Sequence, residues 1–65
     1  DVRARLDKFV REQQDTGDGA GVPREDVVDA LRDRGIDPER AENEIEQALR
    51  DGRLNEPAEG YLRTT

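Results

Sequence analysis

Cysteine, histidine and serine are all missing from this 65-residue chain, and each absence removes a kind of chemistry. Without cysteine there is neither a disulfide framework nor a Cys-based zinc site. Without histidine the chain lacks the usual general base and the commonest metal ligand. The three threonines, Thr16, Thr64 and Thr65, have no such base to activate their hydroxyl groups. We therefore expect a non-catalytic chain that holds no cofactor or metal of its own.

Apolar residues are also few, since leucine, isoleucine, valine and phenylalanine total only 13. No apolar run approaches the roughly 20 residues that a membrane-spanning helix needs, and no signal peptide is visible. The length allows one small domain. Because the sequence begins at Asp1 and not at Met, we expect residues 1–65 to be a single domain of a larger cytoplasmic protein, monomeric when isolated.

Acidic residues dominate the charge, because 17 aspartates and glutamates face 11 basic residues and give a net charge of −6. Lys8 is the single lysine among those bases, and the others are arginine. This profile resembles that of cytoplasmic proteins from organisms that balance external brine with internal potassium chloride. Dense acidic charge opposes compaction at low salt, whereas at about 1 M salt the Debye length falls to roughly 3 Å. We expect the acidity to reflect a halophilic habitat more than a partner; the alternative is an ordinary acidic domain.

Three segments, over about residues 2–14, 24–34 and 38–51, place apolar residues at the spacing of one helical face. Pro23 is expected at the first position of the second helix and Gly35 just past its end. Asp37 and then Pro38 are expected to begin the third helix as its N-cap and first residue. The predicted inner residues are Val2, Leu6, Phe9 and Val10, then Val27, Ala30 and Leu31, then Ala41, Ile45, Ala48 and Leu49, with Ile36 buried in the turn.

After Gly52 the pattern changes to that of a β-hairpin over about residues 53–64, and residues 20–22 add a very short strand. Pro57 and Gly60 mark the turn. With a loop over 57–59, the register would pair Leu54 with Leu62, Asn55 with Tyr61, and Arg53 with Arg63. Side chains alternate across a strand, so the two leucines would share one face. A lone ribbon is marginal in water, so that face should complete a core made by the helices.

The element order predicts a mainly α fold with a small β-hairpin, a winged helix-turn-helix of three helices plus a wing. In DNA-binding proteins of this type the third helix enters the major groove. Here the outward residues of that helix are Glu39, Arg40, Glu42, Asn43, Glu44, Glu46, Gln47 and Arg50. Because these acids would face phosphates, we expect a solvated or protein-docking face in place of sequence-specific DNA reading.

The hairpin is a better candidate for contact with a partner. Arginines at positions 53 and 63, directly opposite each other, would repel. An anion between them would relieve the repulsion, either a phosphate or the carboxylate of Glu56 or Glu59. Tyr61 would stack on a base or merely cover the ribbon. The candidate DNA or partner contacts are therefore Arg53, Tyr61, Arg63, Arg50 and Arg40.

The stretch GDGAG, with Gly17, Gly19 and Gly21, precedes the second helix and resembles a phosphate-binding loop. Its spacing is not GxGxxG, no GK[ST] follows, and Asp15 and Asp18 would repel a phosphate. The same aspartates lack the spacing of a calcium loop. We interpret the stretch as a flexible surface loop.

The run EIEQALRDGRLNEPAEGYLRTT, residues 44–65, resembles the C-terminal winged-helix domain of archaeal minichromosome maintenance (MCM) replicative helicases. The shared features are an amphipathic helix, a glycine, a short strand, Glu-Pro, a glycine, an aromatic residue and an apolar–basic pair. They fall at Ile45 to Leu49, Gly52, Leu54, Glu56-Pro57, Gly60, Tyr61 and Leu62-Arg63.

The resemblance implies that the parent protein is a hexameric ATP-driven DNA helicase, with ATP and Mg²⁺ bound only in its motor domain. It implies that residues 1–65 form an accessory domain that modulates ATPase and unwinding activity. Its partners would be other domains of the parent, other replication proteins, or DNA held weakly through the hairpin.

Two other functions stay open at this point. One is the DNA-binding domain of an archaeal transcription regulator, for which a basic third helix or a dimerisation helix would be expected; the sequence shows neither. The other is a structural docking domain of an unrelated complex.

Overall fold

The computed structural model describes residues 2–16 and 21–65, which form three helices and a small antiparallel sheet. The elements follow in the order α1 (Val2–Thr16), β1 (Val22–Pro23), α2 (Arg24–Asp33), α3 (Pro38–Asp51), β2 (Leu54–Ala58) and β3 (Tyr61–Thr64). The predicted fold class, a winged helix-turn-helix, is confirmed. Helix α1 extends two residues past its predicted end at 14, and α2 ends one residue before its predicted end at 34. Gly17, Gly19 and Asp18 of the predicted loop lie outside the described residues.

Two helices end at a glycine, as predicted. Gly35 follows α2 with φ +86°, and the N–H of Ile36 donates to the carbonyl oxygen of Leu31 at 3.0 Å. This bond belongs to the Schellman motif, which satisfies carbonyl groups that the last helical turn leaves free. Gly52 ends α3 with φ +79° and the same pattern of backbone bonds.

The starts of α2 and α3 differ from each other. At α3 the prediction is confirmed, because the Asp37 carboxylate accepts a hydrogen bond from the N–H of Glu39 at 3.0 Å and Pro38 is the first helical residue. At α2 the prediction is wrong, because Pro23 has φ −55° and ψ 134°, an extended backbone, and belongs to β1. The helix begins at Arg24, whose N–H donates to the carbonyl oxygen of Gly60 at 2.8 Å, a bond that proline has no N–H to make.

The core draws on every helix and every strand. Within the described residues its buried members are Leu6, Val10, Val22, Val27, Leu31, Ala41, Ile45, Ala48, Leu54 and Leu62. Leu54 is 1% exposed and Leu62 is 0% exposed, so the prediction that the hairpin leucines complete the core is confirmed. Ile36 was expected to be buried and is half-buried, packed against the core with Phe9, Val28 and Leu49.

The predicted hairpin register is wrong. Strand β3 is central in the order β1-β3-β2, and the observed pairs with β2 are Leu54 with Thr64, Asn55 with Arg63 and Ala58 with Tyr61. The turn lies at Glu59 and Gly60 and not over 57–59. The ladder is irregular between Asn55 and Ala58, where Pro57 has no N–H to donate. Both leucines still face the core, because a shift of two residues preserves the face of each side chain.

The net charge of −6 leads to a first testable expectation. The midpoint of thermal unfolding should rise as KCl increases from about 0.1 M to about 1 M, because salt screens the repulsion among the acids. Circular dichroism at several salt concentrations measures it. A variant with two fewer negative charges, Asp26→Asn with Asp33→Asn, should show a smaller rise. An equal rise in both proteins would contradict the electrostatic explanation.

Candidate functional site

One arginine joins α2, α3 and the hairpin turn. Arg24 is the first residue of α2; its Nε donates to Oε1 of Glu42 and its Nη2 donates to Oε1 of Glu46, each at 3.0 Å. The two glutamates are four residues apart and therefore neighbours on the surface of α3. Since the backbone N–H of Arg24 is bonded to Gly60, one residue fixes the relative positions of three elements.

The charge of Arg24 is balanced within the domain. Burial of the guanidinium opposes its charged form, but the hydrogen bonds and charges of Glu42 and Glu46 outweigh burial and raise the pKa of Arg24 above its ordinary value. The side chain of Arg24 is only 25% exposed, whereas those of the glutamates are 49% and 53% exposed. The guanidinium of Arg24 is thus already paired with two carboxylates on the outward face of α3. Both carboxylates still remain partly exposed to the solvent.

An open groove of about 630 Å³ lies beside Arg24, between the first turns of α2 and α3 and the turn of the hairpin. We call it the wing groove. Its apolar residues are Pro23, Val28, Pro38 and Tyr61, and its acidic residues are Glu25, Asp29, Glu42 and Glu59, with Arg24 and Gly60 completing the wall. Tyr61 is 39% exposed, and in the described part of the chain no other large hydrophobic residue is exposed. The groove therefore combines apolar and acidic side chains; we call its four apolar residues the floor and its four acidic residues the rim.

Arg53, a predicted contact residue, is occupied within the domain. Its Nη1 donates to both carboxylate oxygens of Asp7, at 3.2 and 3.3 Å, and its Nε lies 3.7 Å from Oδ2 of Asp51. The expected repulsion with Arg63 does not arise, because Arg63 lies opposite Asn55. The prediction of an anion held between the two arginines is therefore wrong, and internal carboxylates from outside the hairpin balance Arg53.

The carboxylates that were expected between these arginines have other positions. Glu56 accepts a hydrogen bond from the N–H of Gly60 at 2.8 Å and so closes the hairpin turn. Glu59 lies on the rim of the wing groove. Both residues thus belong to the turn end of the hairpin, and neither is an ion-pair partner of Arg53 among the described residues.

The other four predicted contact residues do not form one site with Arg53. Tyr61 lies in the wing groove. Arg63 is half-buried, and its Cγ lies 3.0 Å from where a Cβ on Gly21 would be. Arg40 and Arg50 are exposed in the first and last turns of α3. Of the five, only Tyr61 lines the groove.

A basic cluster that was not predicted from the sequence lies between α1 and the C-terminal end of α2. Arg5, Lys8 and Arg34 line a hollow together with half-buried Phe9 and with Glu12. The spacing of Arg5 and Lys8, three residues apart on one helix, was a signal for shared position. Arg34 joins them only because of how α1 packs against α2, and the helical periodicity of the sequence does not predict that packing.

The described residues also bear on metal binding and on membrane-spanning helices. Across residues 2–16 and 21–65, no three acidic, histidine or cysteine side chains converge to hold a metal ion. No helix in those ranges has the length and apolar character needed to cross a bilayer.

The fold and these surfaces define the class of the molecule: a winged helix-turn-helix domain whose third helix is acidic. Comparison with known proteins adds no relative, because no family model, no curated protein and no solved structure matches this chain.

The role of Arg24 can be tested by substitution. Arg24→Gln should lower the free energy of unfolding by about 0.5–2 kcal/mol, because two ion pairs are lost and the two glutamates then repel each other. Urea unfolding measures the loss. The control is Arg32→Gln, which removes an ion pair with Asp29 in which both side chains are about 60% exposed, and its loss should stay within about 0.5 kcal/mol. Equal losses would contradict the linking role of Arg24.

Proposed function

We propose that this chain is a non-catalytic accessory domain of an ATP-driven DNA replication helicase, and that it docks proteins in place of reading duplex DNA. The observation that carries the proposal is the outward face of α3. On that face the exposed acids Glu39, Glu42 and Glu46 outnumber the exposed bases, Arg40 and Arg50. The adjacent base, Arg24, is already paired with two of these acids.

An acidic third helix disfavours the usual winged-helix mode of DNA binding. In that mode the helix lies in the major groove between two phosphate backbones, and phosphate contacts with lysine and arginine supply much of the affinity. The wing groove adjoins this face and adds Glu25 and Glu59 to its negative charge. A partner protein with basic residues suits this surface, and a phosphate backbone does not.

The assignment to a replication helicase is supported by the resemblance of residues 44–65 to the corresponding domain of archaeal MCM helicases. That segment forms most of α3 together with β2 and β3, so the resemblance covers the hairpin and the helix leading into it. Under this proposal the parent is a cytoplasmic protein of a halophilic archaeon that binds ATP and Mg²⁺ in its motor domain. The present domain adjusts ATPase and unwinding rates through contacts with other domains or with replication proteins.

A second candidate function is the DNA-binding domain of an archaeal transcription regulator. The observation that favours it is the basic cluster of Arg5, Lys8 and Arg34, together with Tyr61 exposed on the wing. These groups would support a weak, salt-sensitive contact with DNA away from α3.

The helicase proposal is tested on the parent protein. The gene should encode a P-loop motor before residue 1, and the parent lacking residues 1–65 should still hydrolyse ATP, with changed rates of hydrolysis and unwinding. Both rates are measured on forked DNA with the intact parent as control. A ligand-sensing domain in place of the motor would favour the transcription regulator. Complete loss of ATP hydrolysis in a folded, assembled truncated parent would contradict a non-catalytic role.

A further inference from the structure

We propose that the wing groove binds a short basic segment of a partner protein, with an apolar side chain on the floor of the groove and arginine or lysine side chains on its rim. This inference rests on the proposed docking function and specifies the chemistry of the partner.

The floor of the groove is suited to an apolar side chain. Tyr61 offers an exposed aromatic ring, and Val28, which lines the same groove, is half-buried against the core. Pro23 and Pro38 flank them with backbones that have little freedom to lose. Binding to such a surface orders few groups, which lowers the entropic cost of association. Tyrosine is also among the residues that carry most of the energy in protein interfaces.

The rim of the groove selects a positive partner. Asp29 is already paired with Arg32, and Glu42 with Arg24. Among the described residues, Glu25 and Glu59 have no ion-pair partner, although both are exposed at the edge of the groove. Their carboxylates are therefore available to a cation brought by another chain.

The helix termini beside the groove do not reverse this preference. The first turns of α2 and α3 both adjoin the groove, and each helix N-terminus carries the equivalent of about half a positive charge. Glu25 lies in the first turn of α2 and offsets that charge there. With four carboxylates around a single paired arginine, the groove remains negative, so charge complementarity favours a basic segment over a nucleic acid.

The test is an NMR titration of the isotope-labelled chain with the synthetic peptide acetyl-Arg-Leu-Arg-Arg-Leu-Arg-amide, in about 0.2 M KCl so that rim charges are only partly screened. We expect saturable shifts centred on the amides of Val28, Gly60 and Tyr61. A peptide with glutamate in place of every arginine should cause none. Absence of saturable shifts with the basic peptide, or shifts centred on another face, would overturn the proposal.

Two matched double variants separate docking in the groove from general attraction to an acidic protein. Glu25→Gln with Glu59→Gln should weaken peptide binding about three- to tenfold, because two rim charges are lost. Asp26→Asn with Asp33→Asn makes the same change in net charge outside the groove, and Asp26, like Glu25, is an acidic residue of the first turn of α2. It should change binding less than about twofold. Equal weakening by the two double variants would overturn the proposal.

A third variant tests the floor, and a dilution series tests for a competing occupant. Tyr61→Ala should weaken binding about tenfold or more while the fold is retained in the NMR spectrum. Unchanged affinity in that variant would overturn the proposal.

The dilution series is run without peptide. Shifts at the groove that depend on protein concentration would also overturn the proposal, in favour of a second copy of this chain. These outcomes are independent of the parent's ATPase assay, so failure of the peptide proposal is distinguishable from failure of the helicase proposal.

Discussion

Replacing Leu62 by alanine is expected to lower the free energy of unfolding by about 2–5 kcal/mol. Leu62 is fully buried in the central strand of the sheet and pairs with Val22 of β1. The substitution leaves a cavity between that strand and the helices, and a cavity at the centre of a sheet collapses poorly. Because the core of a domain below about 70–80 residues rarely supplies more than about 3–5 kcal/mol of stability, we expect the variant to be largely unfolded at low salt.

The matched control for Leu62 is the substitution Leu49→Ala on α3. Leu49 is only half-buried at the edge of the core, so its loss should be about 1–2 kcal/mol. Urea unfolding followed by circular dichroism, in about 1 M KCl to stabilise both variants, compares them. A loss at Leu62 no larger than that at Leu49 would contradict the claim that the hairpin is part of the core.

The substitution Gly21→Ala is expected to cost at least about 2 kcal/mol for two independent reasons. Gly21 has φ +107°, a conformation that side chains rarely adopt, so alanine would be strained there in any surroundings. An added Cβ would also lie 2.8 Å from the carbonyl oxygen of Leu62 and 3.0 Å from Cγ of Arg63. The oxygen belongs to the backbone of the central strand, so relieving the clash would push β1 away from β3.

Gly35→Ala provides the control, because it isolates the conformational part of this cost. Gly35 has φ +86° and nothing within 4 Å of an added Cβ, so alanine there should cost only about 1–2 kcal/mol. Thermal unfolding of both variants, with NMR spectra to show whether Val22 keeps its place beside β3, distinguishes the two contributions. If Gly21→Ala were no more harmful than Gly35→Ala, the close approach of β1 to β3 would be contradicted.

The start of α3 and the glycines that end α2 and α3 could be read from the sequence because their causes are local. Asp37 bonds to a backbone group two residues away, and Gly35 and Gly52 each complete bonds within one helical turn. The burial of Leu54 and Leu62 was also predictable, since alternation along a strand fixes which residues share a face.

The hairpin register was not predictable by the same means. Proline and glycine indicated a turn but not its position, and the strand continues through Pro57 with an irregularity in the ladder. A one-residue irregularity of this kind alters every pair beyond it, while the hydrophobic pattern stays almost the same. The ion pair of Arg53 with Asp7 could not be predicted from local sequence either. Asp7 lies 46 residues away along the chain, and only the packing of α1 brings it close to Arg53.

The candidate site was predicted only in part. The acidic outer face of α3 was visible in the sequence, and Tyr61 was selected as a contact residue. The ion pairs of Arg24 with Glu42 and Glu46 were not predicted, because they depend on the relative placement of α2 and α3. The groove that results from this placement consequently has no signature in any single segment of the sequence.

The most direct test of the central claim, that α3 does not read duplex DNA, is an NMR titration of this domain with a short DNA duplex at about 0.2 M and then above about 1 M KCl. We expect no saturable shifts at the outward α3 residues Arg40, Asn43 and Gln47 at either salt concentration. Weak shifts at the lower salt should be confined to residues such as Tyr61 and Arg63 and should vanish at the higher salt. Saturable shifts along the outward face of α3 would contradict this claim and place that helix in the major groove.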